Sequence, residues 1–302
     1  MNLSKKFRKI FIGGKWHIAF RPIGSDCRFD IFEAPKGMFC ADPIAINANG
    51  HSYIFCEQFL KRKMKGCIGY FEFDDGNPVS KGIIIENPYH MSYPFVFCYN
   101  NEYYMIPETS ENKTIELYKA SSFPEKWELF KILLRGENYV DTTVWVDEDI
   151  NFITYYNTIE GNVLEQFRIS SDFLTCTSVN RILYTEDIGR GAGAFFHKNG
   201  VLYRPSQNCR RSYGENIIFN KVEIKNGMFF EIPVNKLTLS DIDINIKHLI
   251  AVHTYTIING FEVIDVFGEQ LDLTYNIGTI LARKIRRRKL KKIGYKGNIN
   301  HE

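Results

Sequence analysis

The feature that most constrains the fold of this chain is a hairpin pattern that recurs about every 50 residues. In its first copy, an acidic residue, Asp42, opens an apolar strand, Asn49-Gly50 forms the turn, and a second apolar strand ends at Glu57. Later copies follow at offsets of 51, 48, 51 and about 60 residues. The five copies begin at Asp42, Tyr93, Asp141, Ala192 and His253.

A repeat of this length with about four strands has the size of a propeller blade. Five copies predict an all-β fold, a five-bladed β-propeller with a short basic C-terminal helix or tail. The alternative is a β-sandwich whose hairpins resemble each other by chance, and the regular spacing favours the propeller. We expect a lead-in strand and closure segment over 1–38, the propeller over 39–270 and the tail over 271–302.

Composition and the N-terminal sequence indicate a soluble, cytoplasmic protein. The 302 residues are 44% hydrophobic and 15% aromatic, which is enough for a core. The seven cysteines include no Cys-x-x-Cys pair, so we expect reduced thiols rather than disulfides or a zinc site. The apolar stretch Ile10–Ile12 is too short for a signal peptide, and no run of about 18 apolar residues suggests a membrane span.

The positive charge of the chain is concentrated near its C-terminus. The stretch from Arg283 to Lys292 holds eight basic residues and no acidic one, so the net charge of +3 becomes −5 without it. An acidic body argues against nucleic-acid binding. The alternation of basic and apolar residues favours contact with an anionic membrane surface, at the inner face of the cell membrane, over a solvated basic end.

The repeat also predicts a polar site. In a blade, the start of the first strand and the end of the second lie at the same mouth of the central channel, so each copy contributes two residues there. The first set of mouth residues consists of the five residues at which the copies begin, from Asp42 to His253. The second set, at the ends of the second strands, is Glu57, Glu108, Tyr156, Gln207 and Asp265. A mouth lined by several carboxylates, aromatic rings and a histidine is typical of a site for a polar ligand.

Three carboxylates of the two sets, those of Asp42, Glu108 and Asp141, suit glycosidic-bond chemistry. That chemistry needs one carboxylic acid to protonate a leaving oxygen and one carboxylate as base, nucleophile or charge stabiliser. Asp42 and Asp141 occupy equivalent positions in non-adjacent blades, and Glu108 lies on the blade between them. For Asp42 the competing interpretation is an ordinary Asp-Pro turn, whereas the equivalence of three positions indicates a catalytic set.

Substrate-binding candidates surround this set. Guanidinium groups bind phosphate or carboxylate, although those of copy four can equally pair with the mouth carboxylates. The Gly189–Gly193 stretch lacks the Lys-Ser/Thr of a phosphate loop, and we expect neither a metal nor a cofactor. The predicted substrate-binding residues are Glu57, His90, Tyr93, Arg190, Arg204, Gln207, Arg211, Tyr213, His253 and Asp265.

Several strings are more specific than the repeat. They are Ala41-Asp42-Pro43, Asn87-Pro88-Tyr89-His90, Ile106-Pro107-Glu108-Thr109, Phe123-Pro124-Glu125-Lys126-Trp127, Val140-Asp141-Thr142-Thr143, Tyr203-Arg204-Pro205-Ser206-Gln207 and Gly260-Phe261-Glu262-Val263-Ile264-Asp265. Together, over about 38–268, they resemble the N-terminal propeller domain of plant glucosamine inositolphosphorylceramide transferases. Similar domains occur in bacterial surface-polysaccharide loci, and the domain resembles family 43 and family 32 glycoside hydrolases.

This resemblance implies a carbohydrate site at the channel mouth. Asp42, in Ala-Asp-Pro, matches the base or nucleophile of those hydrolases. Asp141 resembles their second aspartate, although Thr142 replaces the usual proline. Their acidic glutamate has no clean match, and Glu108 is the candidate by position, followed by Glu57.

The predicted function is glycosyl transfer during the synthesis of bacterial surface polysaccharide or another glycoconjugate. The glycosyl unit is a furanose or another sugar. The expected partners are a nucleotide sugar or sugar phosphate as donor and a glycan or lipid-linked acceptor. A family 43-like glycoside hydrolase and a non-catalytic carbohydrate-binding propeller are the alternatives.

Overall fold

A computed structural model describes residues 12–271 together with Ile285 and Arg288. Five four-stranded antiparallel sheets form a five-bladed β-propeller, which confirms the predicted fold. The first four blades each consist of four consecutive strands. Blade 1 comprises β3 (Met38–Ala48), β4 (His51–Leu60), β5 (Lys65–Asp74) and β6 (Asn77–Ile85); blade 2 comprises β7 (Ser92–Tyr99), β8 (Glu102–Thr109), β9 (Thr114–Ser122) and β10 (Lys126–Arg135).

Blades 3 and 4 repeat the same strand order. Two short 3₁₀ helices, Ser110–Asn112 and Leu239–Asp241, lie in loops that connect consecutive strands. Blade 3 comprises β11 (Val140–Val146), β12 (Ile150–Thr158), β13 (Gly161–Ile169) and β14 (Cys176–Tyr184); blade 4 comprises β15 (Phe196–Lys198), β16 (Val201–Asn208), β17 (Asn216–Lys225) and β18 (Met228–Thr238).

Blade 5 joins the two ends of the described chain. Its strands are β19 (Leu249–Ile258), β20 (Phe261–Leu271), β1 (Ile12–Pro22) and the two-residue β2 (Asp30–Ile31). β1 pairs with β20 along its whole length, from Ile12 opposite Leu271 to Pro22 opposite Phe261. The predicted lead-in and closure segment, 1–38, therefore contributes two strands, β1 and β2, to this blade. Pairing the first strand with the last closes the ring of blades, so that β20 is not left as an exposed sheet edge.

The innermost strands share a local irregularity. The pairing register shifts between Ala41 and Ile44 in β3, and equivalent shifts occur in β7, β11 and β19. Three non-glycine residues there have positive φ angles: 51° at Asp42, 42° at Tyr93 and 45° at Asp141. A bulge of this kind bends the strand and redirects its side chains, and bulges are common beside active sites. Each lies where the repeat predicts the channel mouth.

The core lies between neighbouring blades rather than in one central cluster. Phe20 of blade 5, for example, packs edge-on against Phe73 of blade 1, with ring centroids 5.0 Å apart. Burying such a ring stabilises the fold by roughly 1.5–3 kcal/mol. The abundance of aromatic residues thus provides the contacts that hold adjacent sheets together.

Among the described residues, no helix is long and apolar enough to cross a membrane. The predicted basic tail over 271–302 lies outside the described residues except for Leu271, Ile285 and Arg288.

Candidate active site

Two groups of side chains meet at the channel mouth, and the first joins blades 5 and 1. The Nδ1 atom of His253 lies 2.7 Å from Asp265 Oδ1, and its Nε2 atom lies 3.5 Å from Asp42 Oδ1. Thr254 donates its hydroxyl to Asp42 Oδ1 at 3.3 Å. All four side chains are buried. The carboxylate of Asp42 therefore faces an imidazole whose position is set by Asp265.

Two aromatic rings fix the His253 ring. The indole of Trp16 stacks on it with centroids 3.8 Å apart and an angle of 11° between the planes. Tyr213 contacts it edge-on at 5.3 Å. Tyr213 is a predicted site residue, but Trp16 is not. No sequence signal pointed to Trp16, because it meets His253 only when β1 pairs with β20.

The second group joins blades 2, 3 and 4 around Arg190. Its guanidinium donates to Asp141 Oδ2 through Nε and lies 3.3 Å from Glu108 Oε2 through Nη2. Gln207 Nε2 donates to the same Asp141 oxygen at 2.8 Å. The hydroxyl of Ser110 donates to Glu108 Oε1 at 2.6 Å. Like Trp16, Ser110 was not predicted from the sequence as a site residue. Arg190 thus holds two of the three predicted catalytic carboxyl groups in one place.

The two groups are connected through the bulged backbone. The backbone N–H of Asp42 donates to Asp265 Oδ2 at 2.7 Å, and that of Tyr93 donates to Asp42 Oδ2 at 3.2 Å. The N–H of Asp141 donates to Glu108 Oε2 at 3.3 Å. At each of these three bulges, a carboxyl group of the preceding blade accepts the hydrogen bond. These bonds position the carboxyl groups and orient neighbouring blades at once.

The surroundings give two of the carboxyl groups different pKa values. Burial raises the pKa of Asp42 to about 6, against the lowering effect of His253, with smaller raising effects from Asp265 and Asp141. Burial also raises the pKa of Glu108 to about 8, reinforced by Asp141 and opposed by Arg190. At neutral pH, Asp42 is mostly a carboxylate and Glu108 is mostly a carboxylic acid. Such a difference between two carboxyl groups of one site is typical of a base and an acid acting together.

The pKa of His253 is shifted as well. Burial alone would lower it, but the negative charges of Asp265 and Asp42 outweigh burial and the pKa is raised. The imidazole therefore favours its charged form beside Asp42, and the positive charge opposes protonation of that carboxylate.

Glu57 and His90 lie together at the blade 1 side of the mouth. His90 Nε2 is 3.3 Å from Glu57 Oε1, and the backbone N–H of Gly66 donates to His90 Nδ1 at 3.1 Å. Since Nδ1 accepts, Nε2 carries the proton that points to Glu57. A Cβ atom at Gly66 would lie 2.3 Å from Glu57 Oε1 and 2.4 Å from the Met91 carbonyl oxygen, so only glycine allows this approach.

Three predicted substrate-binding residues are placed differently by the structure. Tyr93 has its backbone at the mouth, but its ring is buried and its hydroxyl contacts Thr143 Oγ1 at 3.0 Å. Arg204 is fully buried, and its Nε and Nη2 atoms bind Glu231 at 2.7 and 2.6 Å. Arg211 is exposed and pairs with Glu215. Tyr93 and Arg204 therefore support the fold, because their polar atoms are directed away from the mouth.

One cluster of described residues has the chemistry of a metal site, although none was predicted. Asp42, His253 and Asp265 each offer one atom that could bind a metal ion, and these three atoms lie within 4.8 Å of one another. Hydrogen bonding and charge attraction between the imidazole and the two carboxylates account for this grouping without an ion.

The comparisons with known proteins agree with this fold. The family described as "Glucosamine inositolphosphorylceramide transferase 1, N-terminal" matches residues 15–243. Glucosamine inositolphosphorylceramide transferase 1 of Arabidopsis thaliana is 33% identical over 222 residues, which cover 70% of this chain and 29% of the relative. This chain therefore matches less than a third of the length of that relative.

Solved structures with low sequence identity share the fold. The catalytic domain of a GH62 α-L-arabinofuranosidase from Coprinopsis cinerea has a TM-score of 0.55 at 12% identity, covering 83% of this chain and 84% of that one. An α-L-arabinofuranosidase from Clostridium thermocellum has a TM-score of 0.54 at 16% identity, covering 74% and 81%. The resemblance inferred from the sequence motifs is confirmed: this chain belongs to the glucosamine inositolphosphorylceramide transferase 1 N-terminal family.

Proposed function

We propose that this protein transfers a glycosyl unit at the channel mouth, in the synthesis of a surface polysaccharide or another glycoconjugate. The observation that carries the proposal is the set of three buried carboxyl groups, Asp42, Glu108 and Asp141, of which the first faces His253 and the other two are held by Arg190. Burial raises the pKa of Asp42 to about 6 and that of Glu108 to about 8, which suits a base and an acid. Membership of a family named for a transferase supports transfer as the reaction. A cytoplasmic location and contact of the tail with an anionic membrane surface are part of the same proposal.

In this mechanism Glu108 donates its proton to the oxygen of the leaving group as the glycosidic bond breaks. In one route Asp42 attacks the anomeric carbon, and the acceptor hydroxyl then displaces Asp42 and gives its proton to the Glu108 carboxylate. In the other route Asp42 takes the proton of the acceptor hydroxyl as that oxygen attacks the anomeric carbon directly. Asp141, held by Arg190 and Gln207, orients the sugar or stabilises the positive charge that develops on its ring. His253 and Asp265 position Asp42 and keep it ionised.

The direct test is a screen of sugar donors against simple and lipid-linked acceptors, with products identified by mass spectrometry. The purified chain and its Asp42→Asn variant are compared in parallel. A glycosylated acceptor formed by the wild type and lost in the variant supports the proposal. Free sugar formed without an acceptor would instead identify a glycoside hydrolase. Binding of a glycan that survives in Asp42→Asn, Glu108→Gln and Asp141→Asn, without turnover by the wild type, would identify a non-catalytic binding protein.

A further inference from the structure

A cavity lies at the outer edge of β1, between blade 5 and blade 1. It has a volume of about 420 Å³ and is bordered by β1, by the segment that follows β2 and by the end of β4. Four of its lining residues can carry a positive charge: Lys15, His17, Lys36 and Lys61. The acidic side chain in the lining is Glu33. The three lysines outnumber the acidic residue in this lining, so the cavity is suited to an anionic ligand.

The short outer strand of blade 5 explains why the cavity exists. β2 pairs only with Ala19 and Phe20 of β1, whereas β1 begins at Ile12. The outer side of β1 around Lys15 and His17 therefore borders the cavity instead of a fourth strand. The chain from Ile31 to Met38 forms the opposite wall. The cavity thus follows directly from the way in which this blade is closed.

The surroundings of His17 disfavour a positive charge on its ring. Burial lowers the pKa of His17 to about 4, and the charges of Lys15 and Lys61 lower it further in the same direction. His17 is therefore neutral at pH 7 and can donate a hydrogen bond from one ring nitrogen. A bound anion would offset the lysine charges and raise the pKa of this histidine.

Trp16 connects the cavity with the candidate active site. It lines the cavity, and its indole stacks on His253, which lies 3.5 Å from Asp42. A ligand that enters both spaces would place its anionic group among the lysines and its sugar against the mouth carboxylates. Arg204 is not available for the predicted phosphate contact, because its buried guanidinium pairs with Glu231, and Arg211 pairs with Glu215 at the surface.

We propose that the cavity lined by Lys15, His17, Lys36 and Lys61 binds the phosphate group of a substrate whose sugar occupies the channel mouth. This inference rests on the proposed glycosyl transfer and assigns its substrate to the phosphate-bearing class. Lysine ammonium groups bind phosphate oxygens as point charges through short, charge-assisted hydrogen bonds. The phosphate belongs either to a soluble sugar donor or to a lipid headgroup on the acceptor.

The test measures phosphate binding separately from transfer. The His17 ring signals are followed by NMR during titration with inorganic phosphate, and its pKa is measured with and without saturating phosphate. We expect phosphate to raise the pKa of His17 in the wild type. The Lys15→Gln/Lys36→Gln variant is expected to bind phosphate about tenfold more weakly. Lys198→Gln, which changes an exposed lysine on blade 4, is the matched control and is expected to bind as the wild type does.

Two further arms identify the source of the phosphate. In the first, glucose 1-phosphate replaces inorganic phosphate; in the second, phosphatidylcholine vesicles with and without phosphatidylinositol are used in a flotation assay. Lysine-dependent binding in either arm supports the proposal and names the source. An unchanged His17 pKa, or equal binding by the wild type and the double lysine variant, would overturn it. Equal affinity for acetate and phosphate would overturn the choice of phosphate.

Asp42→Asn separates this inference from the proposed function. The variant is expected to lose transfer but to keep phosphate binding, since Asp42 does not line the cavity. If no donor or acceptor is turned over and lysine-dependent phosphate binding persists, the transferase proposal fails while the anion site stands. Transfer that is unaffected by Lys15→Gln/Lys36→Gln at low donor and acceptor concentrations would reject the cavity as a substrate site and leave the transferase proposal intact.

Discussion

His253 places its Nε2 atom 3.5 Å from Asp42 Oδ1 while Asp265 holds the opposite ring nitrogen. The raised pKa of His253 means that this contact brings a positive charge to a buried carboxylate. His253 thereby offsets part of the effect of burial on Asp42. The first prediction concerns this positioning role.

We expect His253→Gln to raise the pKa of Asp42, because the variant removes the positive charge but keeps a polar side chain. The acidic limb of the pH profile of kcat/KM should move to higher pH by about one unit or more. The profile is measured on folded protein checked by circular dichroism. A reduced rate with an acidic limb that does not move would show that His253 acts only through packing.

Asp42→Asn should lower kcat by about 10²–10⁴-fold, because the amide can neither act as nucleophile nor accept a proton. Initial rates of the transfer reaction measure this loss. Asp243→Asn is the matched control, since Asp243 is exposed and pairs with Arg28 on the surface. Activity in Asp42→Asn equal to that of the control would remove Asp42 from the mechanism.

The wild-type reaction should have a bell-shaped pH dependence. Activity rises as Asp42 loses its proton near pH 6 and falls as Glu108 loses its proton near pH 8. Glu108→Gln should lose the alkaline limb. It should also regain rate with a p-nitrophenyl glycoside donor, because a nitrophenolate leaves without protonation. An alkaline limb that persists in Glu108→Gln would assign the acid to another residue.

Arg204→Met should destabilise the protein without changing the pH profile of the folded fraction. The variant leaves the carboxylate of Glu231, whose side chain is 4% exposed, buried without its partner. We expect a loss of about 3–5 kcal/mol in the free energy of unfolding, measured with urea. Arg211→Ala, which breaks an exposed pair, should change the free energy of unfolding far less, because solvent screens that pair. Equal losses in the two variants would contradict the structural role of Arg204.

The repeat was sufficient to predict which strand ends meet at the mouth. Asp42, Asp141 and His253 occupy the same position in different copies, so any propeller built from these copies brings them to the same end of the channel. The same argument applies to Glu108, Gln207 and Asp265. Periodicity alone gave no information on side-chain direction, which is why Arg190 and Arg204 were indistinguishable in the sequence. Arg190 contacts Asp141, whereas Arg204 points between blades toward Glu231.

The sequence by itself determined the blade count and the strand positions that meet at the mouth, because a hairpin repeated at nearly constant spacing can pack in few ways. Only the tertiary structure decided what surrounds them. Ring closure brings Trp16 onto His253, and the two-residue β2 opens the cavity lined by Lys15 and Lys36. These contacts join residues that are distant in the chain. They depend on which strand edges meet when the ring closes, and no local pattern encodes that information.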